Sequence, residues 1–185
     1  MEQTTVELSL AERARKIKLL LMDVDGTLTN GDVCLIASPD GDSVFEMKVF
    51  SSIDGVALKL ARTMGLTTGL ITGRRSPAVQ RRADELGIDY VYLGQATKTH
   101  AYEECLTRAG VTEAEVAYMG DDLPDIPLAK RVGLAIAVAN AVPELKAVCH
   151  YVTTREGGRG AAREVVQFLL ESQGVWAEAV PKALA

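Results

Sequence analysis

The chain has 185 residues and a mass of 19.8 kDa, the size of one domain spanning 1–185. With 48 % hydrophobic and 24 % charged residues it is not a disordered chain. A chain this long buries about 70 % of its unfolded surface and needs no disulfide or metal staple. A formal charge of −5 and 5 % aromatic residues speak against a nucleic-acid binder, which would be basic and, for single strands, richer in stacking rings.

The first ten residues, MEQTTVELSL, lack the basic start and apolar core of a signal peptide. Apolar runs fall well short of the ~20 residues of a membrane span. Cys34, Cys105 and Cys149 are odd in number and lack CxxC spacing, as expected for reduced thiols. A cytoplasmic protein, with neither nucleic acid nor membrane as partner, is the expectation.

Ser9 and Glu12 form a capping-box pattern that opens a short helix to about Lys16. The apolar run 17–22 is a strand buried on both faces, and it stops at Asp23-Val-Asp25-Gly26-Thr27. Strands at 33–37 and 43–50, joined by the turn-forming 38–42, make a β-hairpin insert. A helix follows from Asp54 to Gly65, then a strand at 66–71 that ends in Thr72-Gly73-Arg74. Ser76-Pro77 opens a helix that Gly87 closes. Next come a strand at 89–93, a helix at about 97–109, and a strand at 116–119 ending in Gly120-Asp121-Asp122. Helices near 124–131, 143–148 and 160–172 alternate with strands 133–138 and 150–153. The tail, 173–185, carries Trp176 and has no predicted course.

Strands alternating with helices predict a parallel sheet covered on both faces, with ligands bound beyond the carboxyl ends of the strands. The polar signatures all fall at those ends. Asp23, Asp25, Asp121, Asp122 and Asp125 gathered there would repel one another, and a divalent cation relieves this. Hard oxygen donors suit Mg²⁺, which is usually shared with phosphate oxygens. In such chemistry a carboxylate can be the nucleophile toward phosphorus, and a second acid must protonate the leaving alkoxide, a role for which Asp25 is placed. Lys98 at a helix start and Thr72 past a strand end are candidates to hold the phosphoryl oxygens. Gly26 and Gly73 allow close backbone approach.

DVDGTLT (23–29), LITGR (70–74), Lys98 and GDDLPD (120–125) resemble, in order and context, the motifs of the haloacid dehalogenase-like superfamily. The resemblance implies a Rossmann-like α/β fold with Asp23 as nucleophile and Asp25 as acid/base. It implies metal ligation by Asp23, the Asp25 backbone carbonyl and Asp121, with Asp122 and Asp125 in support. An acid at position 25 points to phosphatase or phosphomutase chemistry. Only 49 positions separate Asp23 from Thr72, and 26 separate Thr72 from Lys98, so no cap domain fits between the motifs. Either the substrate is a macromolecule or neighbouring subunits close the site. The apolar hairpin positions Val33, Leu35, Val44, Met47 and Val49 favour the second.

From about residue 15 to 172 the chain resembles the capless sugar-acid phosphatases. The shared stretches include LGQATK (93–98), VAYMGDDLPDIPL (116–128) and YVTTREGGRGAAREV (151–165). That family implies a homotetramer with sites at subunit interfaces. It also implies an octulosonate 8-phosphate substrate from lipopolysaccharide precursor synthesis, or alternatively a nonulosonate 9-phosphate. Arg74 and Arg82 match positions that meet such a ligand. Asp25, Gly73, Lys98, Asp54, Gly55 and Lys59 enter as further substrate-side residues. Ile53 and Lys59 depart from the family, each standing where an arginine is common. Two other readings remain. One is a capless protein phosphatase. The other is a receiver domain, mimicked by the order Asp23, Asp25, Asp54, Thr72, Lys98, although Asp54 resembles a helix cap and a receiver has no use for GDDLPD. Neither His100 nor His150 is given a catalytic role.

Overall fold

The computed structural model describes residues 8–182, so the expectations for 1–7 and for the last three residues of the tail lie outside the described residues. Ser9 and Glu12 make the expected reciprocal pair: the Glu12 carboxylate accepts the Ser9 N–H at 2.8 Å and the Ser9 hydroxyl accepts the Glu12 N–H at 3.3 Å. Helix α1 (Leu10–Arg15) starts there.

The main chain then runs β1 (Leu19–Met22), β2 (Cys34–Ala37), β3 (Val44–Met47), α2 (Ser52–Thr63), β4 (Thr67–Ile71), α3 (Pro77–Leu86) and β5 (Tyr90–Tyr92). It continues through α4 (Thr99–Ala109), β6 (Val116–Gly120), a 3₁₀ turn over Leu123–Asp125, α5 (Ile126–Ala129), β7 (Leu134–Ala137), α6 (Pro143–Lys146), β8 (Tyr151–Val152), α7 (Ala161–Ser172) and α8 (Trp176–Lys182). The last of these settles part of the tail. Ala179 is buried, α8 packs on α2 and α7, and the Arg163 guanidinium lies 4.9 Å from the Trp176 ring centroid.

Six parallel strands form one sheet in the order β5-β4-β1-β6-β7-β8. β1 is central, and all its residues are buried, which is why its sequence is an unbroken apolar run. Burying each leucine of β1 contributes about 1.5–3 kcal/mol. The chain moves outward from β1 to β5, crosses back to β6 and moves out the other way to β8. Right-handed crossovers then put α2 and α3 on one face and α4, α5 and α6 on the other. α7 returns to the first face and packs along α2 and α1. The order reverses beside β1, the place where doubly wound sheets open a crevice at their carboxyl ends.

The hairpin stands apart as a two-stranded sheet. Its register pairs Ile36 with Phe45, Cys34 with Met47, and Leu35 with Glu46. One face is therefore wholly apolar (Cys34, Ile36, Phe45, Met47), while the other mixes Leu35, Ala37 and Val44 with Glu46. The expected apolar set is thus split between two faces, and Ile36 and Phe45 join it. Both faces are exposed, Phe45 by 60 % and Leu35 by 61 %. Among the described residues no helix is long and apolar enough to cross a membrane.

Candidate active site

The strand ends deliver the acidic residues to one place. Asp23 follows β1, and its N–H donates to the Met119 carbonyl at 2.9 Å, extending the pairing with β6 by one residue. Thr72 follows β4, and its N–H donates to the Tyr92 carbonyl at 3.0 Å. After Asp23 the chain turns tightly, and the Leu28 and Thr29 N–H groups both donate to the Val24 carbonyl, at 2.9 and 3.0 Å. Gly26 sits in this turn with φ +89°, and a Cβ there would run into the Asp121 carboxylate. The Thr27 hydroxyl donates to Asp121 Oδ1 at 3.2 Å.

A second loop clamps this turn. Asn140 Nδ2 donates to the Gly26 carbonyl at 3.3 Å, while its Oδ1 accepts the Gly157 N–H at 2.7 Å. A side chain at Gly157 would collide with that same Gly26 carbonyl. Part of the family-like stretch 151–165 thus serves to brace the turn that carries Asp23 and Asp25.

Lys98, at the start of α4, is only 6 % exposed. Its Nζ donates to Asp23 Oδ1 and to Asp125 Oδ1, each at 2.6 Å, and to the Tyr118 hydroxyl at 3.2 Å. Tyr118 in turn donates to Asp125 Oδ1 at 2.6 Å. Asp125 Oδ2 accepts the N–H groups of Asp121 and Asp122, at 2.9 and 3.2 Å. Both Asp125 oxygens are therefore spent on holding Lys98 and the 120–122 turn. Asp122 is exposed and accepts the Leu123 N–H at 2.7 Å, capping the 3₁₀ turn.

Burial pushes the Asp23 carboxyl up to about 6, with Lys98 opposing and Asp125 reinforcing the shift. Burial, then the charges of Asp23 and Asp125, push Asp121 up to about 8. Burial pulls Lys98 down, but the two carboxylates it touches outweigh this and raise it. One cation thus faces three carboxylates, Asp23, Asp121 and Asp125, whose oxygens lie within 4.8 Å of one another. That surplus of desolvated negative charge on hard oxygen donors is what a divalent cation relieves, so these residues fit Mg²⁺. The Asp25 carboxylate is not in the cluster. Lys48, just past β3, donates to its Oδ1, and Oδ2 is buried without a hydrogen-bond partner, with Arg74 Nε 3.8 Å away.

Asp23, Asp25, Thr72, Gly73, Arg74, Lys98, Asp121, Asp122 and Asp125 all line one cleft of about 290 Å³. A larger cleft of about 470 Å³, beside α7, contains none of them, and volume alone therefore does not mark the site. Four of the expected substrate-side residues lie elsewhere in the single chain. The buried Asp54 carboxylate accepts the Gly160 and Arg163 N–H groups, at 3.1 and 2.8 Å, and so caps α7 from α2. Gly55 leaves space for the Arg82 guanidinium, which lies against the Phe50 ring and donates to the Ser51 carbonyl at 3.4 Å. Lys59 is exposed on the outer side of α2. None of Asp54, Gly55, Lys59 or Arg82 lines the catalytic cleft of its own chain, and Ile53 lines the cleft beside α7 instead. Arg74 reaches the cleft, but its Nη2 donates to Glu46 at 2.8 Å.

Sequence reasoning passed over Lys48, Tyr118, Asn140 and Gly157. Two of them carry a signal. Lys48 is a lone cation in an apolar ribbon, and Tyr118 lies in a buried strand where its hydroxyl must find a partner.

The profile of the haloacid dehalogenase-like hydrolases matches residues 91–165. The topology, with a carboxylate cluster at the switch point that fits Mg²⁺, and the matching profile define a haloacid dehalogenase-like hydrolase. The chain is 40 % identical over 174 residues to 3-deoxy-D-manno-octulosonate 8-phosphate phosphatase KdsC of Escherichia coli K12, covering 94 % of this chain and 90 % of that protein. The Yersinia pestis enzyme of the same name is 41 % identical over 162 residues, 88 % of this chain and 84 % of the other. The crystal structure of the Moraxella catarrhalis enzyme, in complex with magnesium ion, phosphate ion and KDO, superposes with a TM-score of 0.86 at 37 % identity, covering 93 % of this chain and 96 % of that one. The chain belongs to the haloacid dehalogenase-like hydrolases, in the family of the 3-deoxy-D-manno-octulosonate 8-phosphate phosphatases.

Proposed function

We propose that the chain hydrolyses 3-deoxy-D-manno-octulosonate 8-phosphate, releasing phosphate and the free sugar acid for lipopolysaccharide precursor synthesis, and that it does so in the cytoplasm. The carrying observation is the division of labour among the carboxylates: Asp23 is held in the cluster by Lys98, while Asp25 is held outside it by Lys48. Asp23 is the nucleophile. Lys98 occupies its Oδ1 and keeps it oriented toward the cleft. As the P–O bond to the sugar breaks and the Asp23–phosphorus bond forms, Asp25 donates its proton to the leaving alkoxide. In the second half Asp25 takes a proton from water, which displaces Asp23 from phosphorus and releases phosphate. Bound Mg²⁺, held by Asp23, the Asp25 carbonyl and Asp121, would neutralise charge on the phosphoryl oxygens. Asp122 and Asp125 support that set, one by capping the adjacent turn and the other by fixing Lys98. Thr72 and Gly73 offer further hydrogen bonds to phosphate, and Arg74 meets the sugar-acid carboxylate.

A panel of octulosonate 8-phosphate, nonulosonate 9-phosphate, an aryl phosphate and a phosphopeptide, assayed with Mg²⁺, tests this. The highest kcat/KM is expected for the octulosonate; a clear preference for the phosphopeptide would overturn the reading. Arg74→Ala should raise KM for both sugar acids about tenfold or more, the worth of a hydrogen bond to a charged group. An equal rise for the aryl phosphate would mean that Arg74 holds phosphate instead.

We also propose that the enzyme is a homotetramer whose hairpins pack together and whose neighbours close each cleft. The apolar hairpin face supports this, since a two-stranded ribbon is marginal without partner surface. So does the cleft volume, at the lower edge of the roughly 300–1,000 Å³ of small-molecule sites. Light scattering is expected to give four times the 19.8 kDa chain mass, and Phe45→Lys to lower it. A wild-type monomer at micromolar concentration would refute the assembly.

A further inference from the structure

Lys48 is a charged residue with a buried head group that this mechanism leaves without a task. Its side chain is 2 % exposed, and it pairs with Asp25 and with Glu46 at 3.5 Å. Glu46 is itself tied to Arg74 at 2.8 Å. A buried ammonium is costly unless fully paired, and an uncharged residue would fill the same space at lower cost. Its placement is equally telling. Lys48 follows β3, so the hairpin reaches back to the site through this side chain, beside Glu46. It grips Asp25 Oδ1 and leaves Oδ2 as the buried, unpartnered oxygen.

We propose that Lys48 is a positioning residue for Asp25. By holding Oδ1, it fixes the carboxyl rotamer so that Oδ2 carries the proton to the leaving-group oxygen and later receives the proton of the attacking water. Lys48 itself gains and loses no proton in the cycle. This rests on the proposed acid/base role of Asp25 and adds to it a residue on the hairpin. Glu46 completes the anchorage by pairing with the Lys48 head group at 3.5 Å, and Arg74 in turn holds Glu46 at 2.8 Å.

Leaving-group dependence separates positioning from structure. A sugar alkoxide needs a proton in order to leave, whereas p-nitrophenolate does not. General acid–base catalysis is worth about 10²–10⁴ in rate, so Asp25→Asn should lose on that order on an alkyl phosphate and far less, in the aspartyl-phosphate-forming step, on p-nitrophenyl phosphate. The assay is therefore single-turnover burst kinetics on both substrates, for wild type, Asp25→Asn, Lys48→Met, Lys48→Arg and the double variant Asp25→Asn/Lys48→Met. Lys48→Met is expected to lose about 10- to 100-fold in kcat on the alkyl phosphate, part of the general-acid contribution, with KM little changed and the aryl burst within about threefold. In the Asp25→Asn background it should cost almost nothing, since the two residues act as a unit. Lys48→Arg, which retains charge in a different geometry, should show the same alkyl-selective loss in weaker form, and it serves as the test if Lys48→Met does not fold. Equal losses on both substrates, or full additivity in the double variant, would overturn the proposal. If Asp25→Asn is itself unselective, the acid/base role of Asp25 falls too. If Asp25→Asn is selective and both Lys48 variants are not, only the role of Lys48 falls.

Discussion

Asp23→Asn is expected to abolish phosphate release while the chain stays folded. Loss of a covalent nucleophile costs on the order of 10⁴–10⁶ in kcat, and here it also removes a charged oxygen from the cation site. The fold should survive because Lys98 keeps Asp125 at 2.6 Å and Tyr118 at 3.2 Å. The exchange leaves the buried ammonium paired rather than stranded, which is the condition for tolerating it. Circular dichroism together with turnover of the sugar phosphate and of p-nitrophenyl phosphate decides the matter. A folded variant within tenfold of wild type on either substrate would remove Asp23 from the chemistry. In the wild type, EDTA should stop turnover and added Mg²⁺ should restore it.

Without metal, the enzyme is expected to be more stable at pH 5.5 than at pH 8.5. Asp23 and Asp121 titrate near 3.8 when exposed, and the fold lifts them to about 6 and about 8. A raised carboxyl pKa means that the folded state binds protons more tightly than the unfolded one. The resulting stability is fully present below about pH 4 and is lost as pH rises through the folded values. The two groups are coupled and Asp121 is partly exposed, so the effect amounts to a few kcal/mol at most. At about 2–4 °C per kcal/mol for a chain of this length, that corresponds to roughly 5 °C in Tm. Mg²⁺ should reverse the trend, because it binds only the ionised carboxylates, so the Tm rise on adding it should be larger at pH 8.5 than at pH 5.5. Scanning calorimetry with and without EDTA at both pH values checks this. A metal-free Tm that climbs between them, or an Mg²⁺ increment larger in acid, would mean that the carboxylate cluster does not carry the charge surplus assigned to it.

Much of this was legible in the residues. β1 and β7 are apolar runs of strand length, and Ser9-Glu12 and Ser76-Pro77 mark helix starts, because burial and capping act on neighbours in sequence. The cleft was legible because strand ends are, and each carboxylate of DVDGT and GDDLPD sits one to five residues past one. What escaped were relations between distant segments. Asp54 was read onto the substrate, yet it caps a helix that starts more than a hundred residues later, and no local pattern announces such a partner. Lys48 lies in a ribbon read only for its apolar positions, and the fold of the hairpin over the site is what turns it inward. The ribbon's two faces became distinct only once the register paired Leu35 with Glu46. The 3₁₀ turn at Leu123–Asp125 and helix α8 are short elements whose form is decided by what they dock against.

The brace on the nucleophile turn also bears on when the enzyme comes alive during synthesis. Asp23 and Asp25 leave the ribosome early, but the turn that aims them is tied down by Asn140, 114 residues after Gly26, and by Gly157 beyond it. At about 5–20 residues per second, that interval lasts roughly 6–23 seconds. For that time the β1 edge awaiting β6 is open, and α2 lacks the helix that Asp54 caps. A nascent chain therefore carries its chemical groups without a working arrangement of them. Chains cut short before residue 157 are expected to be both inert toward phosphate esters and prone to association through β1. Activity is therefore expected only once residue 157 has joined the fold, a delay that follows from placing the first strand in the middle of the sheet.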